Sequence, residues 1–270
     1  AQATGVDLRH LLTEADDEEL RLTQNAQPAL LATGVALAHL LRRFGVEPVA
    51  AAGHSIGEYT ALCAAGAMPF EEAIRLVVER GRAMAEAAPA GTSGMIAVLG
   101  IGPEQVDRAL AGVDGAWAAN YNTPTQVVVG GTAAALEQAE PALLGAGARR
   151  VLPLNVSAAF HTPLMEPAAA RLRSTLDTVG WKAPAIPVVA NLTASEYAGA
   201  GSIPSTLEAQ LRSPVRWADC VARLAALGCD AFLEVGPKRA LSGMMRELVP
   251  DAFTATVGSP EAAEQLQLPG

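Results

Sequence analysis

Between Met95 and Val156 the sequence alternates short apolar runs with helix-like stretches in one order, and that order narrows the fold more than any other feature. Met95 to Leu99 reads as a strand and Pro103 to Leu110 as a helix opened by proline. Ala116 to Asn120 and Gln126 to Val129 read as two further strands, Ala133 to Leu144 as a helix and Arg150 to Val156 as a strand. A βαββαβ succession is the ferredoxin-like signature. On both sides of it strands and helices alternate, which predicts a parallel sheet with helices packed on it. The expected architecture is therefore α/β: a parallel-sheet body, residues 1–91 and 158–270, carrying an inserted ferredoxin-like subdomain, residues 92–157. Pro89-Ala90-Gly91-Thr92-Ser93-Gly94 reads as the turn-rich joint between them.

Within the body, Pro28 opens a predicted helix that ends at Gly45. Pro48 to Ala52 is an apolar run read as a buried strand, and helices follow from about Ile56 to Ala65 and from Pro69 to about Ala88. After His161 come a helix near Glu166 to Asp177 and a strand at Pro187 to Asn191. Helices near Ser205 to Leu211 and Ala218 to Leu227 precede a strand at Ala231 to Val235, and a last helix spans about Arg239 to Leu248.

Composition excludes several kinds of function. The net charge is −9, the wrong sign for a general binder of nucleic acid. The longest apolar stretch, Pro28 to Leu41, is broken by His39 and falls short of the ~20 residues of a membrane span. Cys63, Cys220 and Cys229 form no CxxC, which argues against a disulfide framework or a structural zinc. Those thiols fit a reducing compartment. The opening residues show no signal-peptide pattern, and a cytoplasmic protein is expected. Gly100-Ile101-Gly102 lacks the third glycine of a dinucleotide loop, and neither a P-loop nor an HExxH occurs, so no permanently bound cofactor or metal is expected.

Gly53-His54-Ser55-Ile56-Gly57 follows an apolar strand and opens a helix, the setting of a nucleophile elbow. There a serine hydroxyl is held at a sharp turn, and the N–H of Ile56 points toward a developing oxyanion. The alternative is a serine that merely caps a helix in a tight glycine turn. A nucleophilic serine needs a base. Of His10, His39, His54 and His161, the last is the best placed, where the insertion returns to the body; a polar residue at a helix start is its alternative. Arg80 lies in the helix after Pro69, and a surface ion pair with Glu79 or Glu86 is its ordinary reading.

Seven stretches, in order, resemble malonyl-CoA:acyl carrier protein transacylases. They are Gln27-Pro28-Ala29-Leu30-Leu31, Gly53-His54-Ser55-Ile56-Gly57-Glu58-Tyr59, Arg80-Gly81-Arg82-Ala83-Met84, Asn122-Thr123-Pro124, Ser157-Ala158-Ala159-Phe160-His161, Ser213-Pro214-Val215-Arg216-Trp217 and Glu234-Val235-Gly236-Pro237. The resemblance implies an α/β-hydrolase-like body with a ferredoxin-like insertion. It implies that Ser55 takes malonyl from malonyl-CoA, with His161 as general base and then general acid. Arg80 would clamp the malonyl carboxylate, and the backbone carbonyl of Gln210 would orient His161. Asn122 would line the substrate site, where His54 is also placed. Phe160 and Ile56 match malonyl-selective members. The acceptor is the phosphopantetheine thiol of acyl carrier protein, whose acidity calls for a cationic patch such as Arg149-Arg150 or Arg171 with Arg173. A free-standing monomer of fatty-acid synthesis is favoured over a polyketide-synthase domain, a GxSxG serine hydrolase or an inactive carrier-binding fragment. Relatives begin with a strand leading into a Gly-Gln-Gly-Ser motif that supplies a second oxyanion donor. This sequence does not contain that segment, which predicts the loss of one central strand.

Overall fold

The computed structural model describes residues 4–87, 91–237 and 239–269. The body opens with α1 (Leu8–Thr13), α2 (Asp17–Arg21) and α3 (Thr23–Arg43), followed by β1 (Ala51–Ala52), α4 (Ile56–Ala64) and α5 (Phe70–Ala87). The inserted lobe contains β2 (Ser93–Leu99), α6 (Pro103–Leu110), β3 (Ala116–Thr123), β4 (Gln126–Thr132), α7 (Ala133–Gly145) and β5 (Arg150–Leu154). The body resumes with α8 (Glu166–Leu176), β6 (Val188–Val189), α9 (Ile203–Gln210) and α10 (Trp217–Ala226). It closes with β7 (Ala231–Val235), α11 (Ala240–Leu248), β8 (Phe253–Val257) and α12 (Pro260–Glu264). Pro89 and Ala90, in the expected joint, lie outside the described residues.

The lobe has the ferredoxin-like order. Its sheet runs β3-β4-β2-β5, and every neighbouring pair is antiparallel. Alternation sorts its side chains: Ile96, Val98, Val127 and Val129 pack with Val106, Leu110, Ala139 and Leu143 of α6 and α7. Met95, Ala119 and Val128 turn the other way and meet Phe160.

In the body the same alternation shows helices on both faces of the strands. Ala51 and Val188 face the core built from α3, α4, α5, α8 and α9, while Ala52 and Val189 face the core of α10 and α11. The parallel sheet is not continuous, however. It is built as two pairs, β1 with β6 and β7 with β8, both parallel. Between β1 and β7 lies a cleft of about 760 Å³, lined also by Leu30, Gly34 and Leu41 of α3 and by Val221 and Met245.

Three local expectations are corrected. Pro28 does not open its helix; α3 starts at Thr23, and Pro28 is buried inside it beside Gln27. The apolar run from Pro48 yields only a two-residue strand, because only Ala51 and Ala52 find partners in β6. β8, unanticipated, pairs along the whole of β7. The crossing of α3 and α5 is close. A Cβ on Gly81 would stand 2.7 Å from Gln24 Cα, and this approach brings Gln27 to Arg80.

Candidate active site

β1 ends at Ala52, and α4 begins at Ile56, so the chain must reverse within three residues. It does so with Ser55 at φ 54° and ψ −107°, a left-handed backbone uncommon for any residue with a side chain. Gly53 makes the turn possible: a Cβ there would fall 2.0 Å from Gly57 carbonyl atoms. Gly57 is not sterically required, since a Cβ on it would meet nothing within 4 Å. Asn191 braces the elbow from the loop after β6. Its Oδ1 accepts from the Ser55 N–H at 2.7 Å, and its Nδ2 donates to the Gly53 carbonyl at 2.8 Å.

The Ser55 hydroxyl meets His161 Nε2 at 2.7 Å. On the far side of the ring Nδ1 lies 2.9 Å from the backbone carbonyl of Gln210. A carbonyl only accepts, so Nδ1 carries the hydrogen and Nε2 presents a lone pair to Ser55. Burial, then the nearby Arg80 charge, pushes the imidazole down to about 3. The ring is therefore neutral and able to take a proton across the physiological range. His161 too has a left-handed backbone, at φ 59°.

Arg80 is buried, not a surface ion-pair partner: it is 1% exposed, and Glu79 and Glu86 pair with Arg171 instead. Its Nη1 donates to Gln27 Oε1 at 2.6 Å, and its Nη2 to Gln210 Oε1 at 3.1 Å and to Ser55 Oγ at 3.0 Å. The guanidinium stands 5.1 Å over the Tyr59 ring, and its buried Nε has no hydrogen-bond partner among the described residues. Desolvation lowers its pKa, against the opposing influence of Tyr59 and Glu58, and a guanidinium keeps its charge in proteins.

The remaining candidates form an outer part of the site. His54 is held between the lobe and α10. Its Nε2 bonds Asn122 Oδ1 at 3.0 Å, and its ring lies against Trp217 with centroids 5.6 Å apart. Burial keeps His54 neutral. Asn122 extends the chain by donating to Gln126 Oε1 at 3.0 Å, so β3 and β4 of the lobe reach the elbow through these side chains. Phe160 wedges between the body and the lobe. Ile56 is the first residue of α4, where helix geometry leaves an N–H without an intrahelical acceptor. The cleft between β1 and β7 extends to His54, Ile56 and Asn122.

Sequence reasoning assigned no role to Gln27, Glu58, Asn191 or Tyr197. Glu58 left a signal in its spacing: four residues before the fully buried Leu62, it lies on the same face of α4. Of the cationic candidates, Arg171 pairs with Glu79 and Glu86, and Arg173 with Asp177 and Glu208. Their charges are already matched.

A serine between an imidazole and a guanidinium suits transfer of an acidic acyl group, and sequence comparison decides the family. The acyl transferase domain family matches residues 1–257. The chain belongs to that family. Among its relatives, the malonyl CoA-acyl carrier protein transacylase of Bacillus subtilis is 41% identical over 261 residues, covering 95% of this chain and 82% of the relative. An acyl carrier protein S-malonyltransferase from Vibrio cholerae superimposes on this acyl transferase with a TM-score of 0.93 at 39% identity, covering 96% of this chain and 86% of the other. A malonyl-transacylase solved in complex with its type II polyketide acyl carrier protein gives 0.92 at 39%, covering 96% and 85%. These acyl transferases share the α/β architecture described above.

Proposed function

We propose that this acyl transferase moves malonyl from malonyl-CoA to Ser55 and then to the phosphopantetheine thiol of an acyl carrier protein. The observation that carries the reading is the Ser55 hydroxyl held between the His161 lone pair at 2.7 Å and the Arg80 guanidinium at 3.0 Å. His161 Nε2 takes the serine proton as Oγ bonds the thioester carbon. The Ile56 N–H, at the positive end of α4, faces the resulting oxyanion. When the carbon–sulfur bond breaks, the imidazolium returns its proton to the departing coenzyme A thiolate. The carrier thiol then runs the same sequence in reverse. No acidic third member is needed, because the Gln210 carbonyl fixes the tautomer.

Arg80 supplies the selectivity. Gln27 and Gln210 hold its fork with neutral acceptors, which leaves its charge uncompensated by direct contact. A malonyl carboxylate would meet that charge in a buried setting, where charge-assisted pairs are strong. Arginine's planar fork suits a carboxylate better than lysine does. The unpartnered Nε supports the same reading. Fatty-acid and polyketide carriers present the same thiol, and the reaction is common to both.

The acyl transferase is further read as a cytoplasmic monomer. Its cysteines, Cys63, Cys220 and Cys229, are all free thiols. Among the described residues no helix is long and apolar enough to cross a membrane. Mixing the protein with malonyl-CoA and mapping the added mass by peptide sequencing tests the central claim. The mass belongs on Ser55; a different labelled residue, or none, overturns it.

A further inference from the structure

A buried carboxylate that the reaction never touches receives three hydrogen bonds. Glu58 lies one turn beyond Ser55 in α4, with no exposed surface. Its Oε1 accepts from the Tyr197 hydroxyl at 2.5 Å. Its Oε2 accepts from Gln210 Nε2 at 2.6 Å and from the Asn191 N–H at 3.1 Å. Two of these partners hold the reacting groups. Gln210 also donates Nε2 to the Ser55 carbonyl at 3.1 Å, and its own backbone carbonyl orients His161. Asn191 takes the Ser55 N–H and braces Gly53.

We propose that Glu58 is a positioning residue for acyl transfer: its carboxylate fixes Gln210 and Asn191, and through them the Ser55 peptide and the His161 ring. This inference rests on the assignment of Ser55 and His161 made above. Glu58 touches neither Oγ nor the imidazole, so it acts only through its neighbours.

The ionised form suits this task. The N–H of Asn191 and the NH2 group of Gln210, whose oxygen is turned to Arg80, can only donate, and a carboxylate can only accept. Gln210 also lies between opposite charges, its oxygen toward Arg80 and its nitrogen toward Glu58, which orients the amide unambiguously. Facing Glu58 are Arg80 of α5, Tyr59 of α4, Tyr197 and Cys220 of α10. Burial raises both phenols and pushes the Cys220 thiol up to about 12, so Arg80 is the one charged group of this set. Burial also lifts Glu58 to about 7, against its three hydrogen bonds and Arg80. A proton there must go between Glu58 and Tyr197, whose hydroxyl alone can reverse to accept it. Serine loading therefore falls as pH drops through neutrality, well above the range in which His161 titrates.

The test measures malonyl loading of Ser55, by mass, for the parent, Glu58→Gln, Glu58→Ala and Ser55→Ala between pH 5 and 9. The donor is a malonyl thioester of N-acetylcysteamine, which lacks the titrating phosphates of coenzyme A. Glu58→Ala is expected to slow saturated loading roughly 100-fold at pH 8, the scale of a misplaced reacting group, with the half-saturating thioester concentration within about threefold. Glu58→Gln, the neutral isostere, is expected to lose about tenfold and to give a flat profile where the parent declines below pH 7. If Glu58→Ala does not fold, Glu58→Gln decides alone: a flat profile supports the role, and the parental decline overturns it. A parent that loads Ser55 while the folded Glu58 variants match its loading rate and pH profile overturns the role of Glu58 alone. A parent that carries malonyl on another residue overturns the Ser55 assignment and this inference with it.

Discussion

Arg80 donates to Ser55 across 3.0 Å, so the residue read as the carboxylate clamp also touches the nucleophile. The contact puts a positive charge beside an oxygen that must become more negative. It also means that an incoming carboxylate competes with Ser55 for the same Nη2. On the proposed reading, recognition of the acyl group and release of the serine for attack are thereby linked.

Replacing Arg80 with Ala should weaken malonyl transfer far more than acetyl transfer, because only malonyl carries a free carboxylate beside its thioester. A charge-assisted pair contributes ~1.5–3 kcal/mol, or roughly 10- to 200-fold in kcat/KM preference. Arg80→Lys should recover only part of it. Equal losses for both acyl groups would make the arginine purely structural.

Ser55→Ala should fold and yet gain no malonyl mass. Ser55→Gly should likewise be inert but melt higher than Ser55→Ala. The left-handed backbone at this position costs ~1–3 kcal/mol for a residue with a Cβ and much less for glycine. Melting curves of the two inactive variants, compared directly, measure the strain without interference from catalysis.

The two elbow glycines should separate cleanly. Gly53→Ala drives a Cβ to within 2.0 Å of backbone that cannot move aside, and the folded protein should be lost or weakened by more than ~3 kcal/mol. Gly57→Ala meets nothing and sits inside a helix, where alanine exceeds glycine by ~0.5–1 kcal/mol. Chemical denaturation of both variants checks the ordering.

Acid should act on stability through two groups of opposite sign. His161 is held down to about 3 in the fold against 6.5 in the open chain. Between those values the unfolded chain binds the extra proton, so this group removes stability as pH falls from 6.5 toward 3. Glu58 is raised from 4.5 to about 7, so here the folded protein holds the proton and stability is lost as pH rises from 4.5 to 7. Glu58→Gln should therefore be stabilised over the parent at pH 8, by about 1–3 kcal/mol, and gain little at pH 4.5. His161→Asn should unfold less readily in acid. Urea midpoints across pH 3 to 8 test both signs.

Much of this site was legible because its chemistry is local. The serine lies in a GxSxG between an apolar run and a helix, and four histidines left few candidate bases. α6 and β7 were bounded correctly, the first by Pro103 at its start, the second by Gly236-Pro237 at its end. What stayed hidden depends on distant partners. Glu58 becomes a hub only when positions 191, 197 and 210 fold around it. Arg80 reads as a surface residue until Arg171 claims its neighbouring acids and Gln27 crosses from α3. β1 shrank to two residues because pairing, not hydrophobicity, defines a strand, and Pro28 sat inside a helix whose start at Thr23 carried no strong signal.

The inserted lobe is stitched to the body where the chemistry occurs. Val215, five residues after Gln210, exchanges backbone hydrogen bonds with β3: its N–H donates to Ala119 and its carbonyl accepts from Tyr121. One residue further along β3, Asn122 holds His54 beside the nucleophile. A recombination breakpoint at the lobe's edges would therefore not exchange a neutral appendage. The serine, arginine and histidine would stay with the body, but the incoming lobe would bring its own partner for His54 and its own edge for Val215. Chimeras made at this seam should inherit the chemical step from one parent and the trim of the acyl pocket from the other.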